Sequence, residues 1–315
     1  MAARYVFVVG LPRTGTKLVK HVLESARAVH CRLSPETFYV GQLFRRGMRH
    51  RIAAVGDARD DAVVDRITEL MFSGELHGYY WERLANGSLG VDRDAMRTAL
   101  LQSDRTERGI YEALLSVHVE PHSDVSAVLG DKTPSHIYHV PKILEWFPDA
   151  KIVHTFRDLR AVLASEWRRR MDDRPDTLRA SCARPFVSPM IVLHMTYAWL
   201  KALRLHREYV RRFPDNYYLC KFEDLVSDPA TFTPRLCEFL GVEMCDAMLA
   251  PRQSGSSFAQ RQTSGFDRNT LVRWKTQLKP WMRRWLELVA GKELREFGYT
   301  DEGYRSVSGP ERVRS

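Results

Sequence analysis

The sequence predicts an α/β protein built on a doubly wound parallel sheet, with helical insertions. Three observations lead there. Short, continuously apolar runs rich in β-branched residues alternate with amphipathic stretches of helical period. A glycine-rich loop separates the first such run from the first helix. Each cluster of charged and hydroxyl residues that suggests chemistry falls just after a predicted strand, where open α/β sheets bind ligands.

The first strand is Tyr5–Val9, apolar throughout, as expected of a strand covered on both faces. Residues 10–16 form the loop, and Leu18 to Ala26 has helical spacing. Residues 40–125 contain helical stretches at Ala62–Phe72 and Arg93–Gln102 and an aromatic run, Tyr79-Tyr80-Trp81. A strand is predicted at Ser126–Leu129, followed by Gly130-Asp131-Lys132. Thr133 and Pro134 then suit the cap and first position of a helix running to about Phe147. Lys151–Phe156 is the next strand, and Asp158 caps a helix carrying Ala161–Arg170. Residues 172–189, with three prolines, predict a loop, and 190–212 a long helix. Tyr217–Phe222 is a strand, and Pro234–Leu240 is a helix ending at Gly241. The pattern predicts one domain over residues 1–300, with 40–125 and 172–200 as acceptor-side insertions and 301–315 as a tail.

Composition narrows the function. The 315 residues are 44% hydrophobic and 28% charged, a globular balance. The net charge of +9 favours an anionic partner or marks a basic surface. No nucleic-acid-binding signature accompanies it, so no nucleic-acid partner is expected. The five cysteines form no CxxC pair and no zinc pattern, and a reducing compartment fits them. Tyr5–Val9 is too short for a signal peptide or a span, and no stretch reaches about 18 apolar residues. A cytoplasmic protein without a transmembrane segment is the expectation. Oligomeric state leaves no trace in the sequence.

The loop Gly10-Leu11-Pro12-Arg13-Thr14-Gly15-Thr16-Lys17-Leu18 has the makings of a phosphate cradle. Its glycines let the backbone approach an anion, and the helix N-terminus points amides at it. Arg13 and Lys17 add charge, Thr14 and Thr16 hydroxyls. An ATP loop of the form G-x-x-x-x-G-K-[ST] is nearly matched, but Thr16 takes the lysine position and Lys17 comes one place late. The core is therefore P-loop-like. A small-molecule kinase using ATP-Mg remains the alternative, as does a non-catalytic binder of nucleotides or anionic polymers.

The second cluster is Arg157-Asp158-Leu159-Arg160 with Ser165 and Arg169 on the following helix. Ser165 and Arg169 are i, i+4 and share a face. An arginine at a strand end, a hydroxyl and a second arginine suit one phosphate.

Together these segments resemble the PAPS-dependent sulfotransferases, which use 3′-phosphoadenosine-5′-phosphosulfate. The loop resembles that family's P-[RK]-[ST]-G-T-T, departing at Lys17. Arg157 and Ser165 resemble its 3′-phosphate site, with Leu159 replacing a proline. Phe222-Glu223-Asp224-Leu225, Asp228-Pro229, Phe239-Leu240-Gly241, Arg273-Trp274-Lys275 and Gly298-Tyr299 resemble further family segments, in order. The style is closest to bacterial, tyrosylprotein and heparan-type members.

The resemblance implies transfer of a sulfuryl group from PAPS to a hydroxyl or amine, leaving adenosine 3′,5′-bisphosphate. It assigns Arg13, Thr14, Gly15, Thr16, Lys17 and Leu18 to the phosphosulfate, and Arg157, Ser165 and Arg169 to the 3′-phosphate. Ser256, Ser257, Arg261 and Arg273 fall in a loop that closes over the donor in that family. Arg13 and Lys132 would stabilise the transferring group, with Asp131 orienting the lysine or mimicking a metal-binding ATPase aspartate. Glu36 would be the base. His118, His122, His136 and His139 are alternative bases. No metal is required. The acceptor is a small molecule, glycan, lipid or peptide, bordered by Tyr79–Trp81 and residues 172–189.

Overall fold

A computed structural model describes residues 5–25, 31–118, 128–171, 184–253 and 263–305. The chain begins with β1 (Tyr5–Gly10), α1 (Thr16–Glu24) and β2 (Cys31–Pro35). Five helices follow: α2 (Met48–Ala53), α3 (Asp61–Phe72), α4 (Tyr79–Ala85), α5 (Arg93–Gln102) and α6 (Glu107–Ser116). The sheet resumes with β3 (Val128–Lys132), a 3-10 turn (Pro134–His139), α7 (Val140–Trp146) and β4 (Lys151–Phe156). Next come α8 (Leu159–Met171), α9 (Arg184–Arg212), β5 (Tyr217–Lys221), α10 (Phe222–Ser227) and α11 (Pro229–Leu240). A small hairpin, β6 (Arg252–Gln253) and β7 (Thr263–Ser264), leads to α12 (Trp274–Gln277) and α13 (Pro280–Glu296).

The five main strands form one parallel sheet in the order β2-β3-β1-β4-β5. β1 lies at its centre and is buried at all six positions, as its unbroken apolarity requires. The chain leaves β1 toward β2 on one side and later crosses to β4 on the other. The carboxyl ends of β1, β3 and β4 therefore border a crevice of the kind in which doubly wound sheets hold ligands.

Several expectations need correction. Thr133 does not cap a helix: its hydroxyl donates to Asp131 Oδ1 at 2.7 Å, and the predicted helix is split into the 3-10 turn and α7. Residues 184–189 are helical rather than loop, because α9 starts at Arg184. Pro185 falls at its second position, where a missing amide is tolerated. Residues 172–183 lie outside the described part. Phe222 opens α10 instead of ending β5. α11 starts at Pro229, five residues before the predicted Pro234, with Asp228 accepting from the Thr231 amide. Its end is as expected, Gly241 adopting φ 66°. Of the aromatic run, Tyr80 and Trp81 are buried core residues, and Tyr79 alone is exposed. No helix among the described residues is long and apolar enough to cross a membrane.

Candidate active site

The strand ends bring the charged clusters together. β2 and β3 pair with Pro35 opposite Lys132, so Glu36 leaves β2 beside that lysine. Lys132 Nζ donates to Glu36 Oε1 at 2.5 Å. The lysine is buried and the glutamate side chain is 31% exposed. β1 and β4 pair with Gly10 opposite Thr155, so the glycine loop and Arg157 emerge side by side. Arg13, Lys17, Glu36, Lys132, Arg157 and Ser165 all line one cleft of about 960 Å³.

The loop's shape requires its glycines. Gly15 sits at φ 99°, and a Cβ there would lie 2.4 Å from the Phe222 ring. A Cβ on Gly10 would lie 2.5 Å from the Thr155 carbonyl oxygen. Thr14 is spent on the loop itself: its hydroxyl is 2.7 Å from both the Leu11 carbonyl and the Thr155 hydroxyl, and it does not line the cleft. Thr16, Lys17 and Leu18 do line it, at the first turn of α1. The first amides of a helix have no acceptor within it, so this turn offers donors and the positive end of the helix dipole. Burial pulls the Lys17 ammonium below its ordinary pKa, helped by the nearby Lys132 charge and opposed by Glu36.

The second cluster closes onto the first. Arg13 Nε donates to Ser165 Oγ at 2.9 Å, and Arg157 Nη1 donates to the Arg13 carbonyl at 3.2 Å. Arg157 Nη2 donates to the Thr270 carbonyl at 2.7 Å, and the guanidinium carbon stands 4.1 Å from the Phe222 ring centre. Its Nε is buried without a partner among the described residues. Burial pulls Arg157 below its ordinary pKa, while Glu223 and Asp158 support its charge. A buried, cleft-lining guanidinium held by carbonyls suits an anionic ligand.

The rest of the motif is structural. Asp158 Oδ1 accepts from the Arg160 amide at 2.8 Å, starting α8, and its carboxylate grips the Arg160 guanidinium. Arg160 lies 4.1 Å over the Trp274 ring. Glu223 accepts from the Asp158 amide at 3.1 Å and from the Tyr299 hydroxyl at 3.1 Å. Burial raises Glu223 to about 7, with Arg157 pulling the other way. These contacts explain why segments so distant in sequence belong to one pattern.

Some predicted residues stand elsewhere. Arg169 lines the cleft, but its guanidinium is paired with the buried Glu166, which also accepts from Arg170. Arg273 is paired with Asp267 at 2.6 Å and does not line the cleft. Ser256, Ser257, Arg261 and His122 lie outside the described residues. His118, His136 and His139 do not line the cleft. Asp131 is fully buried, accepting from Thr37, Tyr111 and Thr133, and is likewise absent from the cleft wall. It is therefore not placed as the metal-binding aspartate of an ATPase.

Sequence reading did not single out Leu43, Phe44, Tyr138, His194 and Met195, which also line the cleft, although 40–125 and 172–200 were expected on the acceptor side. It also missed Lys20 and His21, which line the cleft from α1. His21 is four residues past Lys17, and that helical spacing was available as a signal.

Residues 5–246 match the model of the Sulfotransferase family. No curated protein sequence matches the chain. The sulfotransferase domain of the Synechococcus PCC 7002 olefin synthase superposes with a TM-score of 0.54 at 21% identity, over 88% of each chain. That likeness establishes a shared fold. The sulfotransferase domain of the curacin biosynthetic pathway gives 0.49 at 16% identity, over 93% of this chain and 98% of that one. A sulfotransferase from Alicyclobacillus acidocaldarius gives 0.47 at 15% identity, over 94% of both.

Proposed function

The chain belongs to the sulfotransferase family, an enzyme family of sulfuryl transfer, and from this premise we propose that its donor is PAPS and its acceptor group a hydroxyl or amine. The observation that carries the donor assignment is the contact between the glycine loop and the Arg157–Ser165 cluster. Two hydrogen bonds join groups 152 and 144 residues apart in sequence. That contact suits a nucleotide carrying anions at both its 5′ and 3′ positions.

In the proposed site the loop amides, Arg13, Thr16 and Lys17 hold the phosphosulfate, and Arg157 with Ser165 holds the 3′-phosphate. The orphaned Arg157 Nε supports this fit. Arg273 is left out, because its charge is spent on Asp267. Thr14 shapes the loop rather than touching the ligand, and Arg169 serves mainly to neutralise Glu166. Residues 1–300 act as one catalytic domain, whose acceptor wall draws on both 40–125 and 172–200.

PAPS supplies an activated sulfuryl group on a phosphate leaving group. The acceptor oxygen forms a bond to sulfur while the sulfur–oxygen bond to that phosphate breaks. The electron pair leaves with adenosine 3′,5′-bisphosphate, and the acceptor proton passes to Glu36. Arg13 and Lys132 offset the charge that grows on the sulfuryl and phosphate oxygens during transfer. Glu36 and Lys132 share one hydrogen bond, which sets the base and the cation within reach of the same atoms.

Glu36→Gln is the test. It keeps the side chain's shape and a hydrogen-bond acceptor for Lys132 but abolishes the base. Turnover is expected to fall about 100-fold or more, with bisphosphate affinity within a few-fold of wild type. Near-normal turnover would eliminate Glu36 as the base.

A further inference from the structure

Beside its charged groups the cleft also has an apolar lining. Its wall carries Leu43, Phe44, Tyr138, Met195 and Ala198. Phe44 is 69% exposed and stacks with Tyr197 of α9, ring centres 6.2 Å apart and planes 17° from parallel. Tyr197 is itself 51% exposed. Met190 and Leu193, also exposed, precede it at helical spacing and extend the apolar surface along α9. From Met190 to Tyr197 this strip runs about 10 Å. Large side chains left in water side by side are the usual mark of a binding surface.

Arg45 lines the cleft next to Phe44 and is exposed, while Arg83, Arg169 and Arg170 are engaged. Arg83 donates to the Ser88 hydroxyl and carbonyl and to the Tyr79 hydroxyl. Arg169 and Arg170 are paired with Glu166. The cleft also carries the polar side chains of Gln42, Ser135 and His194, but the exposed strip of Phe44, Met190, Leu193 and Tyr197 is apolar apart from the Tyr197 hydroxyl.

We infer that the acceptor is an alcohol carried on an extended apolar body, its hydroxyl at Glu36 and its body lying along Phe44, Met195 and the Met190–Leu193–Tyr197 strip. This rests on the proposed function and adds the substrate class to it. Phe44 and Tyr197 then determine specificity rather than chemistry. Each side chain projects into solvent, so shortening it leaves the core packing untouched.

The test measures bisphosphate release from PAPS with 1-butanol, 1-hexanol, 1-octanol and 1-decanol, beside N-acetylglucosamine. KM is expected to fall about two- to fourfold per added methylene until the strip is covered. Phe44→Ala and Tyr197→Ala should each raise the KM for 1-octanol about tenfold and flatten the dependence on chain length, with bisphosphate affinity unchanged. A KM independent of chain length would overturn the proposal. So would a preference for N-acetylglucosamine, unaltered 1-octanol kinetics in both variants, or no alcohol-dependent release by a protein that binds the bisphosphate. Failure to bind the bisphosphate at all would count against the donor assignment instead.

Discussion

Replacing Asp131 with asparagine asks whether a buried charge holds the segment that carries Glu36. Asp131 has no solvent exposure. Its Oδ2 accepts from Tyr111 at 2.8 Å and from the Thr37 hydroxyl, and its Oδ1 from Thr133 at 2.7 Å. Thr37 stands between Glu36 and Phe38, both held at φ 49°, a backbone region uncommon for residues with side chains. Burial raises the Asp131 carboxyl from 3.8 to about 6, against the pull of the three hydroxyls and Lys132. A raised folded value means that the folded protein binds the proton more tightly than the unfolded chain does. Ionisation therefore subtracts from stability as pH rises from about 3.8 to about 6. The loss is absent below that window and complete above it, at about 3 kcal/mol. Asparagine carries no such loss. Between pH 4 and pH 7 the melting temperature of the Asp131→Asn protein, relative to wild type, should move in the variant's favour by on the order of 6 °C. Glu223 titrates in both proteins and cancels in the comparison. Turnover at pH 7 should still fall about tenfold, because Thr37 loses its ionic partner, while bisphosphate affinity stays within a few-fold of wild type. A melting difference that does not change with pH would refute the linkage argument. Unchanged turnover would refute the positioning role.

Two further outcomes follow from the glycine loop. Gly15→Ala drives a methyl group into the Phe222 ring at a left-handed φ. It should lower bisphosphate affinity at least tenfold and stability by about 1–3 kcal/mol, read by calorimetry and thermal melting. Ser165→Ala removes the hydroxyl that meets Arg13 Nε and should weaken bisphosphate binding about fivefold without a change in melting temperature. A Ser165→Ala protein of wild-type affinity would separate that serine from the donor site.

The cleft residues that follow β1 and β4, proposed as the donor site, were legible in the sequence because each group lies close to a strand end. Gly10 to Leu18 follows β1, and Arg157 follows β4, with the hydroxyl of Ser165 two turns into the next helix. Such local order survives without knowledge of the fold. The structure added the division of labour inside each motif. Thr14 turned inward to Leu11 and Thr155, and Asp158 and Arg160 became a brace between α8 and the C-terminal Trp274. The helix predicted from Thr133 failed because the buried Asp131 competed for the capping hydroxyl. The regions 40–125 and 172–200 were expected to face the acceptor, but the individual apolar residues that line the cleft could not be read in advance. Leu43, Tyr138 and Met195 are single residues on separate elements, and only the packing of α9 against the sheet and its turns brings them together.

The central claim is a donor site for a nucleotide phosphorylated at both ends, and calorimetric titration with adenosine 3′,5′-bisphosphate tests it most directly. The titration is run beside ATP and AMP, with and without magnesium. The account predicts binding of the bisphosphate that is independent of magnesium and weakened about 10- to 100-fold in Arg157→Ala, which loses a charged phosphate contact. Magnesium-dependent binding of ATP, with none of the bisphosphate, would contradict it.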